Sequence, residues 1–149
     1  MTTSASGDPF SMFGAGPRGV LVTLKGDGRP QLSNVGYLHE PASPAILISV
    51  TDDRAKTRNL RRDPRASFYV TTADLGAYAV GEGIAELGSV ARDPHDPVVD
   101  QLVDHYRALQ GEHADWEDFR AAMVRERRLL VRLPLAHASG WDPRIQAGA

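Results

Sequence analysis

From Gly19 the chain alternates. Val20, Val22 and Leu24 fall on one side of an extended segment, and Leu21, Thr23 and Lys25 on the other. Period two predicts a strand with one buried face. Asp27-Gly28 follows, a pair that a tight hairpin turn favours because positive φ costs little there. A second strand is expected from Arg29 to about Leu38. A third spans Ala45 to Thr51, a nearly continuous apolar run, with Pro41 and Pro44 in the loop before it. The pattern then turns helical. Asp52 and Asp53 are candidate N-caps for a helix from Arg54 to about Arg62, which Pro64 ends. A fourth strand is expected over Ala66 to Thr71 and a long fifth over Gly76 to Leu87, where Gly81 and Gly83 suggest a bulge or sharp bend. Two helices follow. Asp96-Pro97 opens one, with Val99, Leu102, Val103, Tyr106 and Leu109 as its apolar face; Asp115 opens the next, with Trp116, Phe119 and Met123 at i, i+3 and i+7. A last strand, Arg128 to Leu133, leads into a Pro134–Gly140 segment that can extend as an edge strand.

The order βββ-α-ββ-αα-β lacks the alternation that builds a parallel sheet. It predicts a mainly β protein with some α, a six-stranded, mostly antiparallel barrel with peripheral helices. Residues 1–18 are expected to be a loosely ordered leader, within which Asp8 to Phe13 offers a short helical turn that docks its aromatics. Residues 19–140 form the domain and 141–149 a tail.

Composition narrows the chemistry. The chain has 149 residues, the size of one domain, and a formal charge of -2 that argues against a dedicated nucleic-acid binder. No apolar run reaches the ~18 residues of a membrane span, and no secretory signal is visible, so a cytoplasmic location is expected. With no cysteine, disulfides, thiolate catalysis and Cys-ligated metals are excluded. His39, His95, His105, His113 and His137 fit no metal-binding spacing, so no metal site is expected. Glu112, His113 and Asp115 cluster at an interhelix turn, where capping is the simpler role. No G-x-S-x-G occurs, and no catalytic side chain can be assigned; a reactive group would come from a cofactor. Gly14-Ala-Gly-Pro-Arg-Gly19 has the G-x-G-x-x-G spacing but precedes a strand, so no dinucleotide loop is expected there.

Arg54 to Arg65 is the most anomalous stretch: six of the seventeen basic residues fall in twelve positions. Arg54, Lys56 and Thr57 lie in the first turn of the predicted helix, where cations oppose the helix dipole. A bound anion such as phosphate would resolve that conflict. The alternative is a solvated basic face salt-bridged to Asp52, Asp53 and Asp63. On the second strand, Gln31, Ser33 and Asn34 crowd the centre and Pro30 forbids a ladder N–H, which suggests an edge or mouth. These groups either meet a heteroaromatic ligand or face water.

The runs Gly19-Val-Leu-Val-Thr-Leu-Lys-Gly-Asp-Gly-Arg-Pro-Gln-Leu-Ser-Asn-Val35 and Arg54-Ala-Lys-Thr-Arg-Asn-Leu-Arg-Arg-Asp-Pro-Arg-Ala-Ser67 resemble the actinobacterial deazaflavin-dependent oxidoreductases. These belong to the pyridoxamine-phosphate-oxidase-like split β-barrel superfamily. The likeness continues through Tyr78-Ala-Val-Gly-Glu-Gly83 and Trp116-Glu-Asp-Phe-Arg-Ala-Ala-Met123. It implies a homodimeric split β-barrel with two interfacial sites for coenzyme F420, or alternatively FMN. It further implies hydride transfer to an unidentified small organic acceptor. By the same resemblance Arg54, Lys56 and Asn59 bind phosphate, with Thr57 in the same motif; Gln31, Ser33 and Asn34 lie beside the rings; and Ser49 and Tyr78, the latter from the partner chain, complete the site. Two rival readings keep the fold: an FMN-dependent oxidase or reductase, and a non-enzymatic carrier or sensor of a flavin, deazaflavin or haem.

Overall fold

The computed structural model describes residues 8–14 and 16–143. The strands in order are β1 (Arg18–Leu24), β2 (Pro30–Gly36), β3 (Leu38–Glu40), β4 (Ala45–Thr51), β5 (Arg65–Thr71), β6 (Tyr78–Ile84), β7 (Glu86–Leu87), β8 (Arg128–Pro134) and β9 (His137–Trp141). The helices are α1 (Ala55–Arg62), α2 (Pro97–Gln110) and α3 (Trp116–Arg125). One sheet runs β2-β1-β5-β6-β9 and the other β3-β4-β8-β7. Every pairing is antiparallel.

The six strands expected from the sequence are therefore nine among the described residues, in two sheets rather than one closed barrel. Two expected strands change sheet partway. The second breaks at Tyr37, which is buried; its N–H donates to Pro17 O at 2.9 Å and its hydroxyl to Phe13 O at 2.5 Å. Before it the chain is β2 of the first sheet, and after it β3 of the second. The expected fifth strand breaks at Ala85, whose N–H donates to Pro64 O at 2.8 Å. Gly83 does not mark a bulge, because β5 and β6 stay in unbroken register from Arg65↔Ile84 to Thr71↔Tyr78. Its role is close approach: a Cβ there would stand 1.8 Å from Pro134 O, where β6 crosses β8.

Strand alternation sets the core. Ile46, Ile48 and Val50 of β4 meet Leu129, Val131 and Leu133 of β8, together with Leu21 and Phe68 from the first sheet. A 3-10 turn over Pro9–Gly14 places Phe13, fully buried, in this same core. Each large apolar side chain so buried contributes about 1.5–3 kcal/mol. A second cluster, with Val99, Leu102 and Val103 of α2 and Phe119 and Met123 of α3, packs against Leu130. The outer surface of the second sheet is thus partly covered by helices. No helix among the described residues covers that of the first, and Leu32, Tyr78, Ile84 and Trp141 stand exposed on it. Among the described residues no helix is long and apolar enough to cross a membrane.

Candidate functional site

The chain leaves β4 at Thr51, turns through Asp52 and Asp53, and enters α1. Neither aspartate caps the helix, contrary to the sequence expectation. The N-cap is Arg54, in extended backbone with no side-chain cap, and the first turn contains no acid. Asp52 is taken up elsewhere: it accepts from Arg61 and, at 2.8 Å, from Arg127. Those two hydrogen bonds hold its carboxyl below the ordinary carboxylate range. Asp53 turns its backbone carbonyl to the Arg58 guanidinium. The N–H groups of the first turn therefore lack the side-chain oxygen that usually satisfies one of them.

α1 is held by its other face. Thr57 is fully buried, and its hydroxyl donates to Thr51 O at 2.7 Å, tying the helix start to the strand end. Asn59, also buried, donates from Nδ2 to Thr23 Oγ1 at 3.1 Å and accepts from Arg62 at 3.0 Å. Leu60 joins the core. With that face committed, Arg54 and Lys56 are left on the open side. Among the described residues neither forms a salt bridge, whereas Arg61 and Arg65 are paired to Asp52 and Asp63. The Lys56 ammonium is pushed below its ordinary pKa, first by burial and then by the Arg54 and Arg128 charges. Three cations thus press on one point, and an anion placed there would relieve their repulsion.

The β1–β2 register extends this locus to the polar strand. Gln31 lies opposite Thr23, the acceptor of Asn59, and Ser33 opposite Leu21. Gln31 and Ser33 are half-buried; Asn34, one residue on, is exposed and turns to the outer face with Leu32. The three polar residues of β2 therefore divide between two faces. Tyr78 lies apart from α1, on the outer face of the first sheet, stacked on Tyr69 with ring centroids 6.0 Å apart. Asn34 shares that face, since its register partner Val20 is in turn the partner of Tyr69. Ser49 faces the helices from β4 and accepts from Arg128 at 3.4 Å. Both line a cavity of about 400 Å³ between α2, α3 and β4 that reaches Gly36 at the end of β2.

Arg128 and Arg127 are the residues that sequence reasoning missed as parts of this locus. They lie far along the chain from α1, which ends at Arg62, and arrive through the β4–β8 ladder, which sets Thr51 against Arg128. No local pattern announces that juxtaposition. Among the described residues no group of three or more His, Asp or Glu side chains is placed to hold a metal ion.

Two antiparallel sheets that exchange strands at Tyr37 and Ala85 define a split β-barrel. Residues 13–142 match the model of the pyridoxamine 5'-phosphate oxidase family, and the chain belongs to that family. Among solved structures it is similar to a conserved hypothetical protein from Mycobacterium tuberculosis, at 23% identity and a TM-score of 0.73, over 99% of this chain and 89% of that one. An F420 reductase is similar at 22% identity and a TM-score of 0.58, over 82% and 88% of the two chains. The haem storage protein of Vibrio cholerae is similar at 13% identity and a TM-score of 0.62, over 95% of each chain. At these identities the likeness is one of fold.

Proposed function

We propose that this protein is an oxidoreductase that binds coenzyme F420 and passes hydride to a small organic acceptor with an activated C=C or C=N bond. The observation that carries the reading is the pair of cations Arg54 and Lys56, without an acidic partner among the described residues, at an N-terminus with no side-chain cap. When bound, the coenzyme supplies two-electron hydride chemistry. Arg54 and Lys56 hold its phosphate, with the first-turn N–H groups, including that of Thr57, as further donors. The Thr57 hydroxyl and the Asn59 amide fix the helix rather than the ligand, since both are already bonded within the fold. Gln31 and Ser33 offer donors and acceptors to the ring system, and Ser49 with Arg128 walls the far side. No side chain is given the role of a catalytic acid or base; the protein binds, orients and excludes water.

The working unit in this reading is a homodimer. Its support is the outer face of the first sheet, which no helix among the described residues covers and on which Leu32, Tyr78, Ile84 and Trp141 are exposed. Pairing two such faces would carry Tyr78 and Asn34 to a neighbouring site that one chain cannot complete. The test is to mix the protein with reduced F420 and a panel of acceptors bearing activated C=C and C=N bonds, following return of the oxidised coenzyme's absorbance. Protein-dependent oxidation with at least one acceptor is expected. Tight binding without turnover across the panel would favour a carrier. A yellow flavin that copurifies from a host lacking F420 would favour FMN.

A further inference from the structure

A second cavity lies apart from the cationic end of α1. α2 crosses the outer face of the second sheet with Gln101, Asp104, His105 and Ala108 toward the gap. Their spacing is i, i+3, i+4 and i+7, one face of a helix. Ala108 is too small to fill the space beneath it, and Gly88 on the other side brings no side chain. The result is a cleft of about 620 Å³, within the range of about 300–1,000 Å³ that small-molecule sites occupy. Its floor is aliphatic, formed by Leu38, Leu47 and Leu130 from three neighbouring strands.

The rim is acidic. Arg132 lies between Glu40 at 3.1 Å and Glu86 at 3.4 Å, so two carboxylates share its one charge. Asp104, exposed on the opposite lip, has no cationic partner among the described residues. Two carboxylates, Glu86 and Asp104, therefore line the cleft with one guanidinium, whose charge Glu40 also draws on from outside the lining. The wall residue His105 adds no positive charge. Its Nε2 donates to Leu47 O at 3.1 Å, and burial holds the imidazole below its ordinary pKa.

We propose that this cleft binds a compact aliphatic amine, its hydrocarbon body on the leucine floor and its ammonium at the Asp104–Glu86 rim. The leucines select by burying apolar surface, and the rim repels carboxylates while favouring cations. The proposal does not rest on the coenzyme reading: the cleft shares His105 with the cavity that Ser49 and Arg128 line, but neither Arg54 nor Lys56 reaches it.

The full chain is titrated with 1-adamantylamine and, separately, with adamantane-1-carboxylate, following amide shifts by NMR. The expected result is saturable binding of the amine, with shifts confined to residues 86–88, 101–108 and 130–132, and clearly weaker binding of the carboxylate. Asp104→Asn should weaken the amine about two- to five-fold, the scale of an exposed ion pair. Ala108→Phe, at an exposed helix position, should fill the cleft and abolish binding without lowering the melting temperature. Equal affinity for the two probes would overturn the proposal, as would shifts centred on Leu32 and Trp141, or none. A changed oligomeric state in Ala108→Phe would show that a second copy covers the cleft, and would overturn it too.

Discussion

The N-termini of α1 and α2 solve the same problem in opposite ways. α2 begins with Asp96, whose carboxylate accepts from the N–H groups of Val99, Arg92 and Asp93, followed by Pro97 at the first helical position and Asp100 in the first turn. Every feature there satisfies a free donor or complements the dipole. α1 begins with Arg54, has no side-chain cap, and carries Lys56 in its first turn. Its stability comes from the buried face, through Thr57, Asn59 and Leu60, and its terminus is left electropositive. A finished terminus serves the fold, whereas an unfinished one held rigidly from behind is available to a ligand.

Substitutions at each end sharpen this contrast. The largest expected effect is at Lys56: Lys56→Ala should weaken coenzyme binding by about 1–3 kcal/mol, as loss of a charge-assisted phosphate contact does, while urea unfolding changes little. Asp96→Ala should do the reverse, costing about 1–2 kcal/mol in urea unfolding with coenzyme affinity unchanged. Arg54→Asp gives α1 what α2 already has. It should raise stability by about 0.5–1 kcal/mol while weakening the coenzyme, and a gain in both would break the comparison.

The smallest effect is on pH dependence. α2 carries His105, and β3 carries His39, whose Nε2 is buried with no hydrogen-bond partner among the described residues. Burial lowers the pKa of both rings in the folded protein. Above about pH 6.5 the rings are neutral folded or unfolded, and their contribution to stability is whole. As the pH falls, the unfolded chain takes up protons first, and stability is lost until the folded rings titrate at their lower values. His105→Gln, which keeps a donor for Leu47, should flatten that acid limb without altering coenzyme affinity. An unchanged limb in urea unfolding at pH 5–7 would remove His105 from the account.

Most elements were legible because period two and period 3.6 act locally. The caps of α2 and α3 stand where Asp96 and Asp115 predicted them. The corners were not legible, since Tyr37 and Ala85 sit inside apolar or alternating runs that continue past them. What divides those runs is the long-range demand of two sheets, met through Pro17 and Pro64. At the site, the basic run could be seen but not sorted. Six cations look alike in sequence; in the fold Arg58, Arg61, Arg62 and Arg65 bond to the protein's own oxygens, and only Arg54 and Lys56 remain. Arg128 was invisible because strand pairing alone brings it near Lys56.

We propose above that the open end of α1 holds a phosphate-bearing deazaflavin. This is tested most directly by titrating the purified protein with coenzyme F420 and following its fluorescence. Saturable binding in the micromolar range or tighter is expected, weakened in Lys56→Ala and unaltered in Asp96→Ala. No binding in that range, or equal binding by wild type and Lys56→Ala, would contradict it.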